Sequence, residues 1–136
     1  MYSKVVVGTD GSESATRAVA RAVELARSVG AELIVVHAHA DTSVGYGLSS
    51  EESPPVDRGK GILDEAESRH AADIAVRTIL RKGDAAESLL DVAEEEAADL
   101  IIVGNRGMTG ARRFLGSVPN RVSHHATCDV LVVHTT

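Results

Sequence analysis

The residues best suited to chemistry in this sequence are glycines and arginines concentrated between residues 104 and 117. Glycines let backbone amides approach an anion without obstruction by a Cβ atom, and arginines supply positive charge. An apolar run at residues 100–103 leads into this stretch, and Pro119 just after it predicts the start of a helix. A strand that delivers a glycine-rich loop to a helix N-terminus is typical of phosphate binding. The stretch contains Gly104, Arg106, Gly107, Gly110, Arg112, Arg113, Gly116 and Ser117.

The distribution of charge favours an anion site in the same place. Residues 106–121 contain four basic residues and no acid, whereas residues 84–99 contain seven acids and no base. The whole chain carries a net charge of −6, from 14 basic and 20 acidic residues. Bulk electrostatics therefore disfavour nucleic acid as a partner, and the positive potential is local to the glycine-rich stretch.

The composition predicts one cytoplasmic domain spanning residues 1–136. This length is typical of a single domain, and an apolar content of 43% is sufficient for a core. Aromatic residues make up only 2%, so Val, Ala, Ile and Leu must fill that core. Cys128 is the only cysteine, which excludes an internal disulfide and favours the cytosol. No signal peptide is expected from the first residues, and no apolar run approaches the roughly 20 residues of a membrane span.

Apolar periodicity predicts strands and helices that alternate along the chain. Consecutive aliphatic residues indicate buried strands, and apolar residues spaced by three and four indicate helices. Ser12, Asp84 and Ser117 are the predicted N-cap residues of the first, third and fourth helices. The strands are predicted at residues 4–8, 32–38, 74–80, 100–103 and 130–133, and the helices at 13–29, 57–72, 85–97 and 117–126, with a long loop at 41–58.

This alternation predicts an α/β fold, in which a five-stranded parallel, doubly wound, Rossmann-like sheet carries helices on both faces. A strand order of 3-2-1-4-5 puts the first and fourth strands side by side at the topological switch, where ligands bind in such sheets. The first strand ends at Gly8-Thr9-Asp10, and the fourth ends at Val103-Gly104. The two loops that stand out by their chemistry are therefore expected to be neighbours in space.

These features make the chain resemble universal stress proteins of the nucleotide-binding subgroup. The pattern of that family is glycine, two residues, glycine, about nine residues, glycine, and then serine or threonine. The sequence has Gly104, Gly107 and Gly116-Ser117, with eight residues between the second and third glycines. This gap indicates a tightened loop around Arg112 and Arg113. The resemblance extends to the first strand and turn at residues 5–12 and to the last strand at residues 128–133.

The resemblance implies a pocket for ATP with Mg²⁺, in which AMP or cyclic AMP makes the same adenine and ribose contacts. By similarity, the Asp10 carboxylate faces the ribose or its associated metal and water, and Gly8 and Thr9 line the same wall. Ala38 lies where backbone groups are expected to recognise adenine. The remaining contacts to ribose and phosphates are implied for Val103, Gly104, Arg106, Gly107, Gly116, Ser117 and Val118.

Purely structural roles are also open for some of these residues. The glycines alone are compatible with a flexible loop, Asp10 with an Asx turn, and Ser117 with simple N-capping. Arg106 lies inside the Gly-x-x-Gly turn and is a candidate phosphate partner. Arg112 and Arg113 are equally compatible with solvated side chains or with ion pairs to the acidic third helix, and such surface pairs contribute about 0–1 kcal/mol.

Two other glycine motifs are disfavoured. No lysine precedes Ser117, so the stretch lacks the Walker signature of ordinary P-loop NTPases. Gly45-Tyr46-Gly47 lacks a third glycine and does not join a strand to a helix, which disfavours a dinucleotide fingerprint.

A histidine metal site is not expected either. His124 and His125 are adjacent and point in different directions on a helix, and His37 and His39 alternate at a strand end without clustered acids. His37 is instead a candidate contact to the base. Cys128 has no evident histidine partner and is predicted to be a small buried residue.

The last strand, Val130-Leu131-Val132-Val133, is predicted to be an edge strand that is apolar on both faces. Exposed edges of this kind are normally covered. Universal stress proteins commonly pair this strand across a two-fold axis, so the resemblance implies a homodimer formed through these four residues.

The favoured function is a dimeric stress-response regulator that binds an adenine nucleotide. Hydrolysis is expected to be slow at most, because no residue is identified as a general base for water and no catalytic residue is assigned. A second hypothesis is an enzyme, either an ATPase or a protein that phosphorylates itself on Ser117 or Thr109. A third is a nucleotide-free interaction module, as in the other subgroup of the family.

Overall fold

The computed structural model describes residues 1–39, 55–105 and 116–135. Within these ranges strands and helices alternate from β1 to β5, as the sequence predicts. The strands are β1 (Lys4–Gly8), β2 (Glu32–His39), β3 (Val76–Lys82), β4 (Leu100–Gly104) and β5 (Asp129–Val133). The helices are α1 (Glu13–Val29), α2 (Pro55–His70), α3 (Ala85–Glu95) and α4 (Ser117–His125).

The five strands form one parallel sheet in the order β3-β2-β1-β4-β5. Strand β1 is central, and its Val6 is paired with Ile34 of β2 on one side and Ile101 of β4 on the other. This arrangement confirms the predicted doubly wound α/β fold and the predicted strand order.

Helices cover both faces of the sheet because the inner strands are apolar on both sides. Val5, Val6 and Val7 are all completely buried, although they point alternately to opposite faces. Val5 and Val7 pack in a core with α1 and Leu63 of α2, and Val6 packs in a second core with α3 and Val122 of α4. Each fully buried side chain of this size stabilises the fold by about 1.5–3 kcal/mol.

Two predicted N-caps are confirmed by their hydrogen bonds. The Ser12 hydroxyl accepts from the Ala15 amide at 3.1 Å, and α1 ends at Gly30, whose φ of +72° is left-handed. The Asp84 carboxylate accepts from the Glu87 amide at 2.9 Å at the start of α3. Both helices therefore begin where their side chains satisfy otherwise unpaired amides.

The predicted bounds of α2 and β3 differ from the observed ones by about two residues. Helix α2 begins at Pro55, so the predicted loop extends too far, because proline is well suited to the first turn of a helix. The rest of that loop, residues 40–54, lies outside the described residues. Strand β3 begins at Val76 and ends at Lys82, two residues later than predicted, because its extent follows the pairing from Leu33 to His39 of β2. In the part of the chain that is described, no helix is long and apolar enough to cross a membrane.

The Asp99 carboxylate joins the starts of β1 and β4. These amino ends of the strands lie opposite the carboxyl ends, where the site is predicted. It accepts from the Ser3 amide at 2.9 Å, the Ser3 hydroxyl at 3.1 Å and the Lys4 amide at 3.1 Å. Burial opposes ionisation of this carboxyl group, but the hydrogen bonds together outweigh burial and lower its pKa. The folded state therefore favours the ionised form.

We predict that Asp99→Asn lowers the free energy of unfolding at pH 7 and that its deficit relative to wild type shrinks under acid. A carboxyl group whose pKa is lower in the folded state stabilises it above the ordinary pKa of 3.8. That stabilisation is lost as the pH falls through the lower folded pKa. Urea denaturation at pH 7 and pH 3 measures both deficits, with Asp91→Asn on α3 as an exposed control. Equal deficits at the two pH values would contradict the linkage.

A second prediction concerns two glycines of α2 that differ in their surroundings. A Cβ atom on Gly59 would lie 2.6 Å from Leu80 Cδ1 and 2.8 Å from His37 Cδ2, whereas one on Gly61 would meet nothing within 4 Å. Gly59→Ala should destabilise the protein by about 1–2 kcal/mol through overpacking. Gly61→Ala should stabilise it by about 0.5–1 kcal/mol through helix propensity. Thermal unfolding of both variants tests this packing, and the same sign for both would refute it.

Candidate functional site

The carboxyl ends of β1 and β4 frame a cleft with a cavity volume of about 190 Å³. It lies at the topological switch of the sheet, between α1 on one face and α3 and α4 on the other. The residues that line it are Gly8, Thr9, Asp10, Ser12, Ser14, Ala15, Ala18, Val36, Ala38, Ala85, Leu89, Val103, Gly104, Val118 and Pro119.

One part of this cleft is apolar and another is polar. The apolar part is formed by small aliphatic side chains on several elements, among them Val36, Ala38, Ala85 and Leu89. The polar part comes from the β1–α1 turn and the first turn of α1. A ligand that carries both an apolar group and polar groups matches this division.

Hydrogen bonds fix the turn between β1 and α1. The Asp10 carboxylate accepts from the Ser12 amide at 2.9 Å, and the Thr9 hydroxyl accepts from the Gly11 amide at 3.1 Å. Gly11 has a φ of +81°, which a glycine adopts without strain. Asp10 is therefore both the residue of an Asx turn and an exposed carboxylate at the cleft, so its two predicted roles are compatible.

His37 supports this turn from β2. Its Nδ1 lies 2.8 Å from the carbonyl oxygen of Thr9, and because a carbonyl only accepts, Nδ1 carries the proton. The Thr9 amide in turn donates to the carbonyl of Val36 at 2.9 Å, which extends the β1–β2 ladder into the cleft. Among the described residues His37 is not part of the cleft lining, so its observed contact is a supporting one and its contact to the base stays a prediction.

Gly8 allows α3 to approach the end of β1. A Cβ atom at this position would lie 3.0 Å from Leu89 Cδ1 and 3.2 Å from Leu89 Cδ2. Leu89 is buried and forms part of the cleft. The glycine therefore fixes the depth of the cleft through packing.

Asn105 holds β4, α4 and the residues after β5 together. Its backbone N–H donates to the Val133 carbonyl at 2.8 Å, and its backbone carbonyl accepts from the Gly116 amide at 3.2 Å. Its side-chain Oδ1 accepts from the amide and hydroxyl of Thr135 at 2.9 and 3.0 Å. The end of β4 and the start of α4 are therefore held at a fixed separation beside the cleft.

Helix α4 begins at Ser117, as its predicted bounds have it, but its N-cap differs from the predicted one. The N-cap is Gly116, which makes no side-chain cap, and Ser117 is the first helical residue, so the predicted capping role of Ser117 is wrong. The Gly116 carbonyl accepts from the Asn120 amide at 3.1 Å, which closes the first helical turn. Helix geometry leaves the amides of Ser117 and Val118 without intrahelical acceptors.

The structure brings together most of the described residues that were predicted for the site. Those lining the cleft are Gly8, Thr9, Asp10, Ala38, Val103, Gly104 and Val118. Gly116 is buried beside it and Ser117 is exposed at the helix start, and neither is among the lining residues. Arg106 and Gly107 lie outside the described residues, as do Thr109, Arg112 and Arg113.

Several lining residues were not predicted, and they come mainly from helices. Ser14, Ala15 and Ala18 belong to α1, and Ala85 and Leu89 belong to α3. Apolar periodicity identifies which face of a helix is buried. It does not show which residues of that face pack on the strands and which extend past the strand ends into the cleft. The preference for small side chains near the start of α1 is the one sequence signal for close approach to a cleft.

Other reactive groups lie away from the cleft. Burial, followed by the nearby charges of Asp129 and Asp99, raises the pKa of the half-buried Cys128 thiol, which keeps it protonated and weakly nucleophilic.

Among residues 1–39, 55–105 and 116–135, no three His, Cys, Asp or Glu side chains form a group that could hold a metal ion.

An open parallel sheet with a cleft at its switch point defines a Rossmann-like α/β protein. Within that class, a model of the universal stress protein family matches residues 1–134. The chain belongs to the universal stress protein family. A universal stress protein of Mycobacterium tuberculosis is 40% identical over an alignment of 146 positions, gaps included, that covers 99% of this chain and 98% of the relative. One from Bacillus subtilis is 34% identical over an alignment of 147 positions that covers 98% of this chain and 99% of the relative.

Solved structures of relatives share the fold, and some contain a nucleotide. A universal stress protein in complex with cAMP superimposes with a TM-score of 0.78 at 38% identity, covering 99% of both chains. The universal stress protein from Archaeoglobus fulgidus in complex with dAMP has a TM-score of 0.72 at 27% identity, covering 96% of this chain and 97% of that one.

Proposed function

We propose that the β1/β4 cleft binds an adenine nucleotide and that binding, rather than rapid turnover, is the function of this protein in the stress response. The observation that carries the proposal is the cleft itself, which joins an apolar compartment to a polar turn at the switch point. Relatives that bind cAMP and dAMP support the choice of adenine nucleotides. ATP with Mg²⁺ is the first candidate, and AMP and cyclic AMP use the same adenine and ribose contacts.

The apolar compartment near Val36, Ala38 and Leu89 suits the adenine ring. An aromatic base buries its faces against aliphatic side chains while its edge bonds to backbone groups, here at the end of β2. The Asp10 carboxylate suits the ribose hydroxyls, because a carboxylate accepts hydrogen bonds and repels phosphate oxygens. Asp10 thereby also orients the nucleotide, with the phosphates directed away from it.

The amides of Ser117 and Val118 at the start of α4 suit the phosphates. They are the donors that the helix leaves unpaired, and the helix dipole favours an anion at this end. Gly104 completes this wall at the end of β4. Gly107 and Arg106 are proposed as further phosphate partners from the sequence pattern.

We predict that Val118→Glu weakens binding of AMP and cyclic AMP about tenfold or more. Its carboxylate enters the cleft beside the proposed phosphate position and repels the phosphate, and an acid in the first helical turn interacts favourably with the helix dipole. Asn120→Glu is the matched control, because it places the same charge in the same helix at an exposed position away from the cleft lining. Titration calorimetry measures both affinities, and the control should stay within about threefold of wild type, since exposed charges are screened.

Two outcomes of this experiment would refute the proposal. Ligand-stripped wild-type protein that binds none of ATP, AMP and cyclic AMP would exclude nucleotide binding. Equal losses in Val118→Glu and Asn120→Glu would exclude the assignment of the site to this cleft.

We further propose a homodimer formed through β5. This strand is at the edge of the sheet, and Leu131 is 41% exposed although it is a large aliphatic residue. An exposed edge strand offers unpaired backbone groups to another strand, and covering Leu131 removes apolar surface from water.

Leu131→Lys is predicted to convert the dimer to a monomer, or to raise its dissociation constant about tenfold or more, because it buries a charge in the interface. Val56→Lys is the matched control, since Val56 is 37% exposed and lies on α2, away from this edge. Sedimentation velocity over a range of concentrations measures the change. A monomeric wild type, or the same shift in both variants, would argue against β5 as the interface.

A further inference from the structure

A chain of three polar side chains runs from the residues after β5 to the cleft. Thr135 is 3% exposed, and its Oγ1 lies 3.0 Å from Asn105 Oδ1 and 2.6 Å from Ser14 Oγ. Ser14 is in the first turn of α1 and lines the cleft. Arg17 of α1 holds the same segment by donating to the Thr135 carbonyl at 2.8 Å.

The direction of each hydrogen bond among Asn105, Thr135 and Ser14 follows from the donors and acceptors that these residues carry. The Thr135 amide donates to the Asn105 side chain at 2.9 Å, and because an amide N–H only donates, the atom that receives it is the carbonyl oxygen Oδ1. Oδ1 carries no hydrogen, so the Thr135 hydroxyl donates to it as well. The single hydrogen of that hydroxyl is then used, and the 2.6 Å contact requires Ser14 to donate to Thr135.

The Ser14 hydroxyl oxygen consequently presents only its lone pairs to the cleft. A hydroxyl has one hydrogen, and the hydrogen of Ser14 is directed away from the cleft towards Thr135. Rotating it towards a ligand would leave two oxygen atoms 2.6 Å apart without a hydrogen between them, and an unsatisfied buried acceptor is unfavourable. The side chain therefore accepts hydrogen bonds from a ligand and does not donate them.

We propose that Ser14 is a specificity-determining residue that selects a ribose hydroxyl, and that Thr135 and Asn105 are positioning residues that fix its polarity. The inference rests on the proposed nucleotide function. A ribose hydroxyl donates to the fixed acceptor, whereas a phosphate oxygen only accepts and is repelled. The nearby Asp10 carboxylate, which is also an acceptor, makes this side of the cleft favourable to the sugar and unfavourable to phosphate.

The test compares AMP with 2′-deoxy-AMP and 3′-deoxy-AMP on the same protein. The measured quantity is the ratio of the dissociation constant of each deoxy analogue to that of AMP, obtained by calorimetry. This ratio does not depend on the fraction of protein that is folded, so a merely structural role would leave it unchanged. Ser14→Ala should lower the ratio about three- to tenfold for one of the two analogues, as expected for the loss of one hydrogen bond.

A matched pair of variants at Thr135 tests the positioning role. Thr135→Val keeps the branched shape and removes the hydroxyl that holds Ser14 as an oriented acceptor. A freely rotating Ser14 hydroxyl still accepts from a ribose hydroxyl but is no longer preorganised, so the same ratio should fall by a smaller factor than in Ser14→Ala. Thr135→Ser keeps the hydroxyl and should retain the wild-type ratio within about twofold. Asn105→Ala removes the acceptor that orients Thr135 and should resemble Thr135→Val.

The possible outcomes separate this inference from the proposed function. Wild-type protein that binds AMP, with unchanged deoxy ratios in Ser14→Ala, would overturn the role of Ser14 while leaving nucleotide binding intact. A changed ratio in Ser14→Ala but equal ratios in the two Thr135 variants would overturn the positioning chain. Wild-type protein that binds none of ATP, AMP and cyclic AMP would overturn the proposed function and the inference with it.

Discussion

The pairing of β1 with β4 is the contact on which the rest of the structure depends. Strand β1 is hydrogen-bonded to β2 on one side and to β4 on the other, although some 90 residues of chain separate β1 from β4. The helix that follows β1 covers one face of the sheet, and α3 and α4 cover the other. The helices that follow β1 and β4 lie on opposite faces of the sheet, and the cleft lies at the carboxyl ends of these two strands.

The shape of that cleft is fixed by close packing of small residues and its polarity by a few hydrogen bonds. Gly8 lets Leu89 approach the sheet, and the Thr9 carbonyl is held by His37. Asn105 uses its amide, carbonyl and side chain to hold three segments, and through Thr135 it reaches the opposite wall of the cleft. A core with almost no aromatic residues makes this arrangement possible, because aliphatic side chains permit the helices to lie close to the strands.

Much of the fold was predictable because its signals are local. Three consecutive buried valines in β1 identify a strand that is covered on both faces, and the caps at Ser12 and Asp84 mark where helices begin. The strand bounds and the helix cap that were wrong depend on contacts with other elements. Strand β3 ends where its pairing with β2 ends, and α4 is preceded by Gly116 instead of being capped by Ser117, because the Gly116 amide bonds to Asn105.

The sequence by itself determined the class of fold, the family resemblance and the two segments expected at the cleft. Glycine spacing and apolar periodicity can be read directly from the residues, and the alternation of strands and helices restricts the strand order. Only the tertiary structure decided which helical residues reach the cleft and in which direction their hydrogen bonds run. Ser14 and Thr135 are 121 residues apart, and nothing in the local sequence of either indicates the other. Their contact arises because β5 lies beside β4 and the residues after β5 contact α1. Long-range packing therefore fixes the direction in which the Ser14 hydroxyl donates its hydrogen.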